Sequence, residues 1–190
     1  MGKFIVLTGL DGSGTTTVAE QLHIEDANST LMKSPPYPFS TNRNSIDEKV
    51  FNASPEAHYF YYLAANVYLS KLVDEKLAES DSNIYCQRFF IDTVVSHRAK
   101  GVKADYVYET AQYKIRKPDY IFFLHVSEEE RQLRLNERGR GFLDEQLSDE
   151  MLRTRMQEEF DALDAHFIRI ETTNRSLEEI VQEIQSYIQS

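Results

Sequence analysis

A glycine-rich loop near the start of the chain is the feature that most constrains the fold. An apolar run at residues 4–7 leads into Gly9-Leu10-Asp11-Gly12-Ser13-Gly14-Thr15-Thr16-Thr17, and a helical pattern follows directly. Glycine permits a tight turn whose N–H groups point inward, and the next helix presents the positive end of its dipole to the same space. A strand, a glycine loop and a helix in this order predict a cradle for phosphate groups.

The spacing of this loop matches the phosphate-binding pattern G-x-x-x-x-G-K-[ST], with one departure. Thr15 stands where the pattern has lysine, so the loop lacks its cation, whereas Thr16 holds the position of the hydroxyl that coordinates Mg²⁺. We therefore expect Thr16 to be a metal ligand. The residues expected to bind the phosphates of a nucleotide are Gly9, Gly12, Ser13, Gly14, Thr15, Thr16 and Thr17. The alternative is a glycine-rich turn that holds no ligand.

Composition narrows the class of protein. The chain has 190 residues, of which 41% are hydrophobic, and this predicts a single domain spanning 1–190. Its one cysteine, Cys86, cannot form an intramolecular disulfide, which suits a reducing compartment and a small buried side chain. The net charge of −10 disfavours polymeric nucleic acid and anionic membranes as partners. No stretch approaches a membrane span and no leader pattern is apparent, so we expect a cytoplasmic protein.

Apolar runs that predict strands alternate with helical patterns along the chain. Strands are predicted at 4–7, 29–33, 83–86, 120–126 and 167–170, and helices from Gly14 and at 55–78, 91–100, 105–116, 128–138, 148–163 and from 176 onward, with a loop at 40–47. This order predicts an α/β fold of the P-loop NTPase type, with a five-stranded parallel sheet and helices on both faces. The continuously apolar run at 120–126 is predicted to lie at the sheet centre.

Several short motifs together resemble the thymidylate kinase family of nucleoside monophosphate kinases. They are Leu7-Thr8-Gly9-Leu10-Asp11-Gly12-Ser13-Gly14 with its threonines, Lys33-Ser34-Pro35, Leu63-Ala64-Ala65-Asn66, Gln87-Arg88-Phe89, Pro118-Asp119 and an arginine-bearing stretch near 138–141. The resemblance covers nearly the whole chain. It implies ATP and Mg²⁺ as cofactors, a nucleotide substrate, a homodimer, and a lid loop around 138–147.

The resemblance also implies roles for single residues. Asp11 is expected to contact the acceptor sugar and Arg88 the acceptor phosphate, while Lys33, Leu63 and Asn66 belong to the acceptor side. Arg88 follows a strand at the edge where open α/β sheets bind ligands, and its planar fork suits a phosphate. The alternatives are a carboxylate that caps loop N–H groups for Asp11, and an arginine in an ion pair or at the surface for Arg88.

Two arginines of the predicted lid, Arg138 and Arg140, are candidates for catalysis. A closing lid would bring their guanidinium groups onto the charge that spreads over the transferred phosphoryl oxygens. The alternative is that they are solvated charges near a helix C-terminus. The family has one branch with basic residues in the lid and another with an arginine in the phosphate loop, and this loop has none.

The chain departs from the family at four positions. Thr15 replaces the loop lysine and Gln87 replaces an aspartate that helps to hold the metal. Losing one preorganised charged donor in such a site costs about 3–4 kcal/mol in the transition state. Leu63 and Val67 replace a phenylalanine that stacks on thymine and an arginine one turn later. Lys33, Arg138 and Arg140 are the candidates for replacing the lost cation, and Tyr37, Tyr61 and Tyr62 could offer another stacking surface or serve packing alone.

The leading hypothesis is therefore a thymidylate kinase-like phosphotransferase that moves the γ-phosphoryl group of ATP to dTMP or a related nucleoside monophosphate. Two alternatives stay open. One is a kinase-derived protein that binds a nucleotide with little or no catalysis, which the loss of lysine and aspartate favours. The other is a kinase for a nucleoside or another hydroxyl acceptor, which is weakened because Gln87 cannot act as a base.

Overall fold

A five-stranded parallel sheet forms the centre of the molecule in a computed structural model that describes residues 1–139 and 149–189. The strands are β1 (Phe4–Thr8), β2 (Thr30–Lys33), β3 (Ile84–Gln87), β4 (Tyr120–His125) and β5 (Ile168–Glu171). Their order is β2-β3-β1-β4-β5, with every neighbouring pair parallel. The predicted α/β sheet is confirmed. β1 takes the central position and β4 lies beside it, so the prediction that residues 120–126 lie at the centre was wrong by one strand.

Helices cover both faces of the sheet, as predicted. They are α1 (Thr15–Glu25), α2 (Pro55–Glu79), α3 (Phe90–Arg98), α4 (Glu128–Arg138), α5 (Glu150–Ala162) and α6 (Leu177–Gln189). Side chains alternate along β1, so that Phe4 and Val6 join one core with α2, α3 and α5, while Ile5 and Leu7 join a second core with α1 and α6. Cys86 is buried in the first core, which confirms its reading as a small apolar residue. Across the described ranges no helix has the length and apolar character that crossing a bilayer requires.

The ends of the helices follow local chemistry. Ser54 precedes α2 and its hydroxyl accepts a hydrogen bond from the Ala57 N–H at 3.2 Å, with Pro55 at the first helical position. The Ser127 hydroxyl accepts from the Glu130 N–H at 3.4 Å at the start of α4. These caps are the ones that the sequence pattern predicts, and they fix where the two helices begin.

Two segments differ from their predictions. Residues 105–116 form no helix but an extended excursion with one antiparallel bridge between Glu109 and Lys114. Tyr106 and Tyr108 both lie against Phe90, with ring centroids 5.4 Å and 5.7 Å away, and side chains two residues apart cannot share one face of a helix. Tertiary packing therefore overrides the local pattern.

Residues 39–53, predicted as a loop over 40–47, form a run of short helical turns that lies before α2. The turns are Phe39–Asn42, Arg43–Ser45, Ile46–Val50 and Phe51–Ala53. This run, called here the 39–53 segment, follows two cis peptide bonds, Ser34–Pro35 and Tyr37–Pro38. Asp47 is buried within this segment.

Candidate nucleotide-binding site

The phosphate loop turns between β1 and α1 at the carboxyl edge of the sheet. Its backbone takes φ values of 151° at Gly9, 91° at Gly12 and 94° at Gly14. A Cβ at Gly9 would lie 2.5 Å from the Leu124 carbonyl oxygen, and one at Gly12 would lie 2.9 Å from the Arg131 Cγ. Glycine is therefore required at these two positions by backbone conformation and by close packing.

The open end of α1 supplies hydrogen-bond donors for an anion. Gly14 is the N-cap of α1, and no side chain caps the first turn in the described structure. The first N–H groups of a helix have no partner inside the helix, so those of Thr15, Thr16 and Thr17 remain for a ligand. The Ser13 hydroxyl is buried and makes no hydrogen bond with any described residue. The loop therefore fits a phosphate group.

Thr15 and Gln87, which stand where a lysine and an aspartate were expected, lie close to each other at the loop. Thr15 is buried, whereas Thr16 is exposed and its hydroxyl accepts a hydrogen bond from the Gln87 amide. At these two positions a Mg²⁺ ion would find neutral protein oxygens, from a threonine and a glutamine. No group of three or more His, Cys, Asp or Glu within 1–139 and 149–189 could hold a metal. The pair fits an ion that a nucleotide carries, since Mg²⁺ keeps waters and phosphate oxygens as most of its ligands.

Asp11 and Arg88 are brought together beside the loop. The Arg88 guanidinium donates to the Asp11 carboxylate at 2.8 Å, to the Asp92 carboxylate at 2.8 Å, and to the Gly9 carbonyl. Asp92 is held by the Thr8 hydroxyl at 2.7 Å and by the Phe89 N–H at 2.9 Å. The Arg88 backbone has φ 66°, a rare value for a residue with a side chain, which is a feature of functional sites when the surroundings hold it. The Arg88 guanidinium is thus held in a half-buried network of ion pairs.

Two arginines of α4 contact the loop, and the sequence analysis did not identify either. Arg131 is 1% exposed and donates to the Asp11 carbonyl at 3.0 Å while it forms a bidentate pair with Glu128. Arg134 donates to the Ser13 carbonyl at 3.4 Å and to the Thr172 carbonyl at 3.0 Å. The helical spacing of 131, 134 and 138 was the available signal, because residues three and four apart share one face.

The remaining predicted site residues are more scattered. Lys33 ends β2 and is exposed, and its strand register places it opposite Gln87. Asn66 is fully buried, where it donates to the Thr93 hydroxyl at 2.8 Å and accepts from the Ser34 hydroxyl at 3.0 Å. Its bonds tie α2 to α3 and to the segment after β2.

Leu63 and Val67 line a groove on α2 of about 510 Å³, together with Phe60, Ala64, Tyr68, Lys71, Gln112 and Tyr113. None of these residues belongs to the phosphate loop or to the Arg88 network. Of the tyrosines considered for stacking, Tyr37 is 78% exposed, and Tyr61 donates to the Phe39 carbonyl. Residues 140–148, with Arg140 and most of the predicted lid, lie outside the described residues, as does the side chain of Arg138.

A buried polar cluster that sequence reasoning missed joins the 39–53 segment to α2. Asp47 accepts from the Tyr62 hydroxyl at 2.7 Å, from the Arg43 Nε–H at 3.3 Å, and lies 3.0 Å from the His58 Nε2. Burial raises the pKa of Asp47, but the hydrogen bonds from His58 and Tyr62 and the charge of Arg43 outweigh it, so the pKa lies below its ordinary value. The i, i+4 spacing of His58 and Tyr62 was the one sequence signal.

The cluster continues into α3. His58 Nδ1 lies 2.8 Å from His97 Nε2, and His97 Nδ1 lies 2.6 Å from the Thr93 carbonyl. Burial lowers the pKa of His97 to about 4. Lys100, just after α3, places its Nζ 3.7 Å from the centre of the Phe51 ring, and burial lowers its pKa to about 8 although Asp47 and Asp11 oppose the shift.

A glycine-rich phosphate loop after the central strand, facing an arginine network at the same sheet edge, defines the class of P-loop phosphotransferases. The thymidylate kinase family model matches residues 7–184. The chain therefore belongs to the thymidylate kinase family, and the predicted class of activity, an ATP-dependent nucleoside monophosphate kinase, is confirmed.

Similar proteins come from distant organisms. A probable thymidylate kinase of Methanocaldococcus jannaschii is 27% identical over 199 residues, covering 98% of this chain and 96% of that protein. A thymidylate kinase of Brachyspira hyodysenteriae is 29% identical over 150 residues, covering 75% and 72%. The structure of thymidylate kinase from Candida albicans superposes with a TM-score of 0.75 at 20% identity, over 99% of this chain and 91% of that one, and so supports the fold.

Proposed function

We propose that this protein transfers the γ-phosphoryl group of ATP to dTMP or a related nucleoside monophosphate, and that the acceptor phosphate binds at Arg88. The observation that carries the proposal is the Arg88–Asp11 pair, held at 2.8 Å directly beside the phosphate loop. An acceptor bound there would present its phosphate to a γ-phosphate lying on the amides of α1. Positioning of this kind supplies much of the rate in phosphoryl transfer.

On the donor side, the loop amides and the hydroxyls of Thr16 and Thr17 would hold the ATP phosphates. Mg²⁺, when bound, neutralises charge on the β- and γ-phosphates, and Thr16 with Gln87 would hold it through neutral oxygens. Arg131 and Arg134 would keep the loop in its binding conformation, because each donates to a loop carbonyl. Arg138 and Arg140 remain our candidates for contacts to the transferred group.

On the acceptor side, Asp11 would accept a hydrogen bond from a sugar hydroxyl, and Arg43 would join Arg88 at the phosphate. Only the Nε of Arg43 is engaged, by Asp47 and Tyr62, so its terminal amino groups make no hydrogen bond with the described residues. Burial lowers the pKa of Arg43, but Tyr62 and Asp47, with a smaller contribution from the Asp11 carboxylate, raise it above its ordinary value. A guanidinium anchored by Nε with its fork free is preorganised for a phosphate.

A second candidate function is nucleotide binding without turnover. Thr15 and Gln87 favour it, because both charged groups of the donor side are neutral here. The two changes remove one positive and one negative charge, so the net charge of the site equals that of the family pattern. The individual charges that would lie against the phosphates and the metal are nevertheless lost.

The experiment measures ADP formation from ATP across a panel of nucleoside monophosphates and nucleosides, with Arg88→Ala as the matched variant. We expect turnover with dTMP or another monophosphate, and we expect Arg88→Ala to weaken acceptor binding more than ATP binding. Turnover with nucleosides alone would identify a hydroxyl-acceptor kinase. ATP binding without ADP formation under any condition would identify a nucleotide-binding protein, and equal losses for both ligands would remove Arg88 from the acceptor site.

We also propose, from the family resemblance, that the protein acts as a homodimer in the cytoplasm. Light scattering at micromolar concentration tests the oligomeric state, and a monomer mass would contradict the dimer.

A further inference from the structure

A chain of buried polar side chains runs from α3 through α2 to Arg43, and the phosphoryl-transfer reaction does not itself require it. His97, His58 and Asp47 are 2%, 4% and 4% exposed. Burying three titratable groups costs free energy unless each is hydrogen-bonded, and these three are bonded to one another in sequence. A cluster of this kind holds one arrangement of the elements that it joins.

The hydrogen-bond partners fix where the protons lie. His97 Nδ1 faces the Thr93 carbonyl at 2.6 Å, and a carbonyl can only accept, so this nitrogen carries the proton of the ring. The Nε2 of neutral His97 is then an acceptor, facing His58 Nδ1 at 2.8 Å. The other nitrogen of His58 faces the Asp47 carboxylate at 3.0 Å, which also accepts. His58 therefore bridges the His97 ring and the Asp47 carboxylate, one ring nitrogen to each.

The opposite end of the cluster reaches Arg43. Asp47 binds His58 through Oδ1 and the Arg43 Nε–H through Oδ2, while the Tyr62 hydroxyl lies between them, 2.7 Å from Asp47 and 3.2 Å from Arg43. The carboxylate thus contacts His58 on α2 and Arg43 on the 39–53 segment. Any displacement of the His58 ring therefore alters the group that anchors Arg43.

We propose that His58 is a positioning residue of the acceptor site, which holds Asp47 in place and through it aims the fork of Arg43 at the acceptor phosphate. The proposal rests on the proposed function for the identity of the ligand. If the His58 ring is replaced, Asp47 loses one of its buried partners and Arg43 loses a fixed anchor. Acceptor affinity should then fall, while ATP affinity, which depends on the phosphate loop, does not share this loss.

Charged and titratable groups surround His58, and the experiment has to separate them from it. They are Arg43 and Asp47 on the 39–53 segment, Tyr62 on α2, His97 and Lys100 on and after α3, and Asp11 in the phosphate loop. Because these groups and the acceptor phosphate are present in every variant, the ratio of variant to wild-type affinity at one fixed pH isolates the contribution of His58.

The test compares wild type with His58→Gln, whose amide lacks the rigid ring that spans Asp47 and His97. Calorimetry measures the affinities for dTMP and for ATP at about pH 7. We expect His58→Gln to weaken dTMP binding about tenfold, equivalent to about 1.4 kcal/mol, with ATP affinity unchanged. His125→Gln is the matched control, since it removes another histidine–carboxylate contact, to Glu171 at 2.7 Å, and should leave dTMP binding as it is.

A second readout does not depend on the acceptor. In NMR spectra of the free protein, the Arg43 Nε–H signal should shift or broaden in His58→Gln. If His58→Gln does not fold, Asp47→Asn serves in its place with the same expected losses. If wild type bound no dTMP, the proposed acceptor would be wrong and the NMR result alone would decide the role of His58. An unchanged Arg43 signal, or equal losses for dTMP and ATP, would overturn the proposal.

Discussion

At the scale of single residues, Thr15 is expected to limit the chemistry. Thr15→Lys would return a point charge to the β- and γ-phosphates, which the loop amides alone do not supply. We expect phosphoryl transfer or ATP hydrolysis to rise by about 100-fold or more if the few kcal/mol typical of such a group are recovered. Single-turnover rates with saturating Mg²⁺ measure the effect.

The control for this substitution is Thr15→Met, which adds length at a buried position without charge. An equal response of both variants would assign the effect to packing. Tighter ATP binding without a faster rate would favour the nucleotide-binding function, because a group that stabilises ground and transition states equally does not raise the rate constant. A gain well below 100-fold would mean that another cation already lies against the phosphates.

At the scale of elements, α4 is expected to hold the phosphate loop through Arg131. Arg131→Leu would remove the buried donor to the Asp11 carbonyl and leave that oxygen without its partner, which costs about 1–3 kcal/mol. We expect a lower free energy of unfolding by about 2 kcal/mol together with weaker ATP binding, both measured by urea titration and calorimetry. Arg155→Leu, an exposed arginine on α5, is the control. Full ATP affinity in Arg131→Leu would show that the loop keeps its shape unaided.

At the scale of elements, most of the fold could be predicted from the sequence, and two segments could not. Strands, helices and the phosphate loop follow from periodicity, caps and glycines, which are local. The stretch 105–116 could not be predicted because the packing of Tyr106 and Tyr108 on Phe90 decides it. The 39–53 segment was missed for a related reason, since its polar residues find partners on α2 that are distant in sequence.

The residues of the candidate site also fall into two groups, those that could be predicted from the sequence and those that could not. Asp11 and Arg88 could be assigned to one site in advance, Asp11 from its place in the phosphate loop and Arg88 from its place at the carboxyl edge of the sheet. Arg43 and Arg131 could not, because their roles depend on which partners the fold brings to Asp47 and to the Asp11 carbonyl. Spacing along the chain carries no information about contacts of this type.

At the scale of the whole molecule, the histidine cluster should make stability depend on pH. The folded pKa of His97 is about 4, against an ordinary value of 6.5, because burial penalises the charged ring. A group whose pKa is depressed by folding contributes stability that is complete above its unfolded pKa and is lost as pH falls toward the folded value. The window for this loss is therefore pH 6.5 down to 4. A proton added to His97 Nε2, which lies 2.8 Å from His58 Nδ1, would also remove the acceptor in the link between α2 and α3.

Urea unfolding at pH 7.5, 6 and 5 tests this dependence. Across the full window the loss attributable to His97 is up to about 3 kcal/mol, from 1.36 kcal/mol per pKa unit. We expect His97→Gln to lose less stability than wild type between pH 7.5 and 5, since glutamine can accept from His58 without titrating. His166→Gln, at an exposed histidine, should follow the wild-type curve. Parallel curves for wild type and His97→Gln would mean that folding does not lower the pKa of His97, and the acid sensitivity would then have to come from other groups.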